Sequence, residues 1–133
     1  MLSKTTSILD NNQTKRILVV DDMKAELELI SRYLTQAGYS VATAKDGKEA
    51  MQKVIEYKPD AIVTDWMMPE MGGLDLCRQL KKKKETADIP IVACTAKSRD
   101  VDRMWATKQG VKRYVVKPFT AEELIIAIKE AMA

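Results

Sequence analysis

The chain has 133 residues, of which 46% are apolar and 31% charged, and it carries a net charge of +3 with a pI near 8.8. That is enough for one domain with its own core and too little for two. No apolar run approaches the roughly 18 residues of a membrane span, the basicity is too mild for a concentrated nucleic-acid patch, and the absence of histidine removes imidazole from any catalytic, metal-binding or phosphodonor role.

In chain order, residues 1–14 are rich in Ser, Thr and Asn, show no period and read as a disordered N-terminal tail. They hold no basic start followed by an apolar stretch, so no secretory signal is expected and the compartment reads as cytoplasmic. The two cysteines, Cys77 and Cys94, then read as reduced, small buried hydrophobes. A strand is expected over 17–20. Leu27, Ile30, Tyr33, Leu34 and Ala37 recur at helical spacing until Gly38 stops the helix. A short strand over 41–44 leads to Asp46 as an N-cap with Glu49 three residues on, and Ala50, Val54 and Ile55 form the expected buried stripe of the second helix. Lys58-Pro59-Asp60 breaks it before a strand over 61–64.

Pro69 and Gly72-Gly73 mark a loop, after which Leu74, Cys77 and Leu80 open a third helix that ends in the cationic run Lys81-Lys82-Lys83-Lys84. Cations favour the carbonyl end of a helix, although such a run also suits docking of an acidic partner. A fourth strand is expected over 89–94. A fourth helix over 99–109 should turn Val101, Met104 and Trp105 inward and stop at Gly110. The fifth strand covers 113–116. The last helix has a capping box, Thr120 with Glu123, and a buried stripe of Leu124, Ile125, Ile128 and Met132. Five strand–helix units with near-continuous apolar strands imply an α/β fold: a doubly wound, five-stranded parallel sheet with five helices. Right-handed crossovers favour the order 2-1-3-4-5.

Four of the apolar runs stop at polar residues suited to phosphate chemistry: Asp21-Asp22, Asp65, Thr95, and Lys117 before Pro118. In a parallel sheet these strand ends share one edge, and the crevice there is where open α/β sheets bind ligands. Three neighbouring carboxylates repel one another unless a cation intervenes. A hard, oxygen-liganded ion such as Mg²⁺ (or Mn²⁺) suits them. A carboxylate attacking phosphorus forms an acyl phosphate.

These positions, with Tyr114 three before Lys117 and the segment Thr64-Asp65-Trp66-Met67-Met68-Pro69-Glu70-Met71-Gly72-Gly73, resemble the receiver domains of bacterial response regulators, the CheY-like group with the flavodoxin-like strand order. The resemblance covers the chain from Lys15 onward, so residues 15–133 are expected to form the receiver domain. It implies a two-component phosphorelay protein, an enzyme only toward its own phosphorylation and dephosphorylation. Asp65 would be the phosphoacceptor. Asp22, Asp65 and the backbone carbonyl of Met67 would hold the metal directly, with Asp21 acting through water. Lys117 would pair with the phosphoryl oxygens, its bond to Pro118 being cis in this family. Thr95 and Tyr114 would form the switch, and Met67 and Lys97 would tune self-hydrolysis. Met67 is apolar and cannot hold an attacking water, which implies slow loss of the phosphoryl group.

The implied donor is a phosphohistidine on a sensor kinase or phosphotransfer protein. The implied output is a protein effector bound at the fourth helix, fifth strand and fifth helix, a surface holding Lys97, Arg103, Lys112, Arg113 and Ile126. No effector region follows the last helix, so a stand-alone regulator without direct nucleic-acid contact is expected. The run Met104-Trp105-Ala106-Thr107-Lys108-Gln109-Gly110 is similar to stand-alone regulators of twitching motility and phototaxis, the PilH-like group. Three other readings fit less well. A dehalogenase-type phosphatase would want an aspartate where Met67 stands. A flavodoxin would want a Ser/Thr/Gly-rich loop where Asp21-Asp22-Met23-Lys24 stands. An adaptor receiver that is never phosphorylated would not need a complete acceptor set.

Overall fold

The computed structural model of the protein describes residues 14–66 and 72–133. The expected tail over 1–14 therefore lies outside the described residues except for Thr14, as does the whole of 67–71. Five strands, β1 (Arg16–Val20), β2 (Ser40–Ala44), β3 (Ala61–Asp65), β4 (Ile91–Thr95) and β5 (Arg113–Val116), alternate with five helices, α1 (Lys24–Gln36), α2 (Gly47–Tyr57), α3 (Gly73–Lys82), α4 (Asp100–Lys108) and α5 (Ala121–Met132). The strands form one sheet in the order β2-β1-β3-β4-β5, every pair parallel. The doubly wound order 2-1-3-4-5 is as the sequence leads one to expect. Among the described residues no helix is long and apolar enough to cross a membrane.

Strand residues alternate between two cores because successive side chains leave opposite faces of a sheet. Leu18, Val20, Ile62 and Ala93 pack with Ala50 and Val54 of α2 and Leu76, Cys77 and Leu80 of α3. Ile17, Val19, Val63, Val92 and Cys94 pack with Ile30 and Leu34 of α1 and Leu124 and Ile128 of α5. The caps are local devices. The Asp46 carboxylate accepts the Glu49 N–H at 2.8 Å, and Thr120 and Glu123 close a full capping box on α5. Gly38 and Gly110 end α1 and α4 with φ of 97° and 103°, where a side chain would be strained.

Some stripe residues sit elsewhere than their spacing suggests. Ile55 is 64% exposed; only Gly47, Ala50 and Val54 of α2 are buried, because that narrower line already fills the space over β1 and β2. Val101, Met104 and Trp105 are 59%, 62% and 43% exposed, so α4 does not turn them inward. It seats on the small Ala106 instead, the one α4 residue that is buried. Ala37 lies past the end of α1 and is exposed, while Ile125 and Met132 are half-buried. Strand β4 starts at Ile91 rather than Ile89, since Pro90 has no N–H to give a ladder and contributes only its carbonyl, to Ile62 at 3.0 Å.

Candidate functional site

Parallel strands bring their carboxyl ends to one edge, and there the polar residues named from the sequence meet. Asp21 follows β1, Asp65 ends β3, Thr95 ends β4, and Lys117 follows β5. Carboxylate oxygens of Asp21, Asp22 and Asp65 all lie within 4.8 Å of one another. The Lys117 ammonium sits 3.3 Å from Asp21, 3.2 Å from Glu26 and 3.8 Å from Asp65. Its backbone N–H donates to the Thr95 carbonyl at 2.8 Å, which ties β4 to this lysine, and the Lys117–Pro118 peptide is cis. A cleft of about 680 Å³ opens above, lined by Glu26, Asp65, Thr95, Lys97, Lys117 and their neighbours.

The two members of the acidic pair differ. Asp21 is fully buried and Asp22 is exposed. Neither caps α1: Met23 is the N-cap residue without a side-chain cap bond, and its N–H donates to Asp21 Oδ1 at 3.0 Å. Burial holds the Asp21 carboxyl above its ordinary range, opposed by the Met23 N–H and by Lys117. Burial would also push the Lys117 ammonium down, but Asp65, Asp21 and Glu26 outweigh it and the pKa is raised. Lys117 is thus a fixed cation among Asp21, Glu26 and Asp65, and Asp22 adds a fourth carboxylate beside Asp21 and Asp65. An all-oxygen donor set that lone lysine does not neutralise fits a hard divalent ion of the Mg²⁺ type. Among the described residues Asp21, Asp22 and Asp65 could hold it; the Met67 carbonyl, expected as a further ligand, lies outside them.

The proposed switch residues both bond to the backbone of Lys97. The Lys97 N–H donates to Thr95 Oγ1 at 3.2 Å, and the Lys97 carbonyl accepts from the Tyr114 hydroxyl at 2.9 Å. Thr95 is buried; Tyr114 is half-buried, with the Arg103 guanidinium 5.2 Å from its ring centre. Helix α3 begins hard against the end of β3. A Cβ at Gly73 would lie 2.7 Å from the Asp65 carbonyl oxygen and 2.8 Å from Trp66 Cα, so only glycine fits. Trp66, the residue after Asp65, is buried and meets Trp105 of α4 edge-on at 6.3 Å and 81°.

Two residues of this neighbourhood escape the sequence reading. Glu26 pairs with Lys117, and the only signal for it is an acidic residue in the first turn of the helix that follows Asp21-Asp22. Trp66 reads from sequence as part of the loop motif, and its contact with Trp105 has no local signal.

Against known proteins, the sequence profile of the response regulator receiver domain matches residues 17–129. The chain is 43% identical over 114 residues to response regulator MprA of Mycobacterium leprae, covering 86% of this chain and 49% of that protein. It is 36% identical over 118 residues to the phosphate regulon transcriptional regulatory protein PhoB of Pseudomonas aeruginosa, covering 89% of this chain and 52% of that one. It spans about half the length of these curated relatives. Among solved structures, the chemotaxis protein CheY4 of Vibrio cholerae superposes with a TM-score of 0.85 at 28% identity, over 90% of this chain and 99% of CheY4.

Proposed function

The chain belongs to the response regulator receiver family, and from that premise we propose that Asp65 accepts a phosphoryl group from a phosphohistidine on a sensor kinase or phosphotransfer protein. One observation carries the reading: Asp65 lies with Asp21 and Asp22 in a carboxylate cluster, 3.8 Å from the Lys117 ammonium and on the strand next to Thr95. In the step itself an Asp65 oxygen bonds to phosphorus as the bond from phosphorus to the histidine nitrogen breaks, leaving an acyl phosphate. A Mg²⁺ held by Asp21, Asp22, Asp65 and the Met67 carbonyl would supply the charge that lets an anionic group approach these acids.

This chain's own residues do the rest. Lys117 pairs with the phosphoryl oxygens in exchange for its contacts with Asp65 and Asp21. The Thr95 hydroxyl, which now accepts the Lys97 N–H, still has its own proton to give to a phosphoryl oxygen. Turning it inward loosens Lys97, and Tyr114 then loses the carbonyl that its hydroxyl holds. The surface of α4, β5 and α5 changes shape as a result. Met67 and Lys97 govern how fast water removes the group.

The test is incubation with acetyl phosphate and Mg²⁺ followed by mass measurement. A gain of one phosphate that needs Mg²⁺ and disappears in Asp65→Asn supports the reading. No gain points to an adaptor, and turnover of phosphate esters points to a phosphatase. Loss of the phosphoryl group should be slow, and a half-life of seconds would contradict the role given to Met67. In this reading the protein works in the cytoplasm, its only catalysis is on itself, and its output is contact with a protein rather than nucleic acid. Twitching motility or phototaxis is the setting, on the strength of the run from Met104 to Gly110. A second reading is favoured by PhoB, whose name describes a transcriptional regulatory protein: control of DNA binding. Pull-downs with and without beryllofluoride separate the two.

A further inference from the structure

The Lys117 ammonium has three N–H bonds to give, and among the described residues it meets three carboxylates: Asp21 at 3.3 Å, Asp65 at 3.8 Å and Glu26 at 3.2 Å. Asp21 and Asp65 belong to the group of acids that could hold a metal ion, and Glu26 does not. Glu26 reaches the ammonium from the first turn of α1 and lines the cleft together with Asp65, Thr95 and Lys97. An acid in that turn suits the helix dipole wherever its side chain points. The helix alone therefore does not call for a contact that ties the start of α1 to the residue after β5.

The charges give this contact a sign. Asp21, Asp22 and Asp65 together balance Lys117 and one divalent ion, so Glu26 is the charge left over. An acyl phosphate on Asp65 carries more negative charge than the carboxylate it replaces. Its oxygens come to Lys117 beside an anion already there, and the two repel each other. The Lys117 and Glu26 side chains are only 20% and 26% exposed, so water screens that repulsion incompletely.

We propose that Glu26 is a positioning residue that acts as a brake. It occupies the Lys117 ammonium in the unphosphorylated protein and disfavours the arrival of an anionic phosphoryl group there. How much donor is needed to load Asp65 is then set by a residue outside both the acceptor and the metal-holding acids. This role presupposes the transfer to Asp65 proposed above and adds a built-in threshold to it.

The full chain at saturating Mg²⁺ is compared with Glu26→Gln, which keeps the size of the side chain and removes its charge. Phosphorylation by acetyl phosphate, followed by mass, should be about fivefold faster in Glu26→Gln, and beryllofluoride, titrated by amide shifts, should bind about fivefold more tightly. A gain in both is a result that misfolding cannot produce. Higher ionic strength should speed the wild type more than Glu26→Gln, because screening weakens the same repulsion that the substitution removes. Glu28→Gln, an equal charge change at an exposed position of the same helix, should alter rate and affinity by less than about twofold. Slower phosphorylation in Glu26→Gln overturns the proposal, since the carboxylate would then be needed to aim Lys117. Equal effects of the Glu26 and Glu28 changes overturn it too, as does an ionic-strength response that wild type and Glu26→Gln share. If the wild type takes up neither phosphate nor beryllofluoride, Asp65 as acceptor fails together with the brake; if it takes up both and Glu26→Gln matches it, the brake alone fails.

Discussion

Helices α4 and α5 both lie against β5, yet they are anchored differently. Helix α5 enters through a capping box and buries Leu124, Ala127, Ile128 and Ala131. Helix α4 has no side-chain cap bond to its backbone, buries Ala106 alone, and leaves Val101 and Met104 largely and Trp105 partly to solvent. Its remaining ties are few: Trp105 on the edge of Trp66, Arg103 over the ring of Tyr114, and the Cys77 thiol donating to the Gln109 carbonyl at its carboxyl end. The contrast teaches where motion is cheap. Segments with few buried apolar contacts open at low free energy, and switching elements come from that end of the range. A two-state element responds to a modest difference in ligand affinity only if its two arrangements are close in free energy. Of the two helices, the one beside Tyr114 is held by the fewer buried side chains.

Mutations can sharpen or break this contrast. The largest effect should come from Leu124→Ala on α5, which removes a fully buried side chain and should cost about 3 kcal/mol in denaturant unfolding; a loss under about 1 kcal/mol would mean that α5 is as loosely seated as α4. Next come the two buried thiols. Burial pushes both above their ordinary pKa, Cys94 to about 12, so both stay protonated and react slowly at neutral pH. Cys77 lies under the end of α4 while Cys94 packs in the α5-side core, so local opening should let iodoacetamide label Cys77 about tenfold faster, or about 1.4 kcal/mol in opening free energy. Equal rates by peptide mapping would remove the contrast. Because the folded Cys94 pKa is the higher one, its contribution to stability is present below the unfolded thiol value and fades as pH rises toward 12.

Smaller effects follow. Thr120→Ala should cost about 1 kcal/mol through loss of the α5 cap, seen as a lower denaturation midpoint with unchanged slope. Met104→Ala on α4 should change stability by no more than about 0.5 kcal/mol. A larger loss would show that the exposed face of α4 is held by contacts within the chain.

Much of this architecture can be read from the chain because its signals are local or follow from topology. Asp46 and Thr120 announce their helices by side-chain chemistry within one turn. Asp21, Asp65, Thr95 and Lys117 are far apart in sequence, but once their runs are parallel strands the geometry of a sheet leaves their ends little choice but to converge. The exposed residues were harder for the opposite reason. Val101, Met104 and Trp105 carry helical apolar spacing, and spacing tells which side chains share a face without telling whether another element covers that face. Ile55 is the same case on α2. The Glu26–Lys117 pair requires knowing how far α1 stands above β5, which no pattern within either segment encodes.

Gly73 leads to a consequence of another kind. The first residue of α3 rests on the peptide of the phosphoacceptor candidate with less clearance than a methyl group needs. Most catalytic pockets are guarded by side chains that drift can swap for near equivalents. Here an absence does the guarding, and an absence has no conservative replacement. Divergent descendants of this chain can repaint the outer side of α3 freely, but the codon at this joint has nowhere to go without prising the helix off its seat.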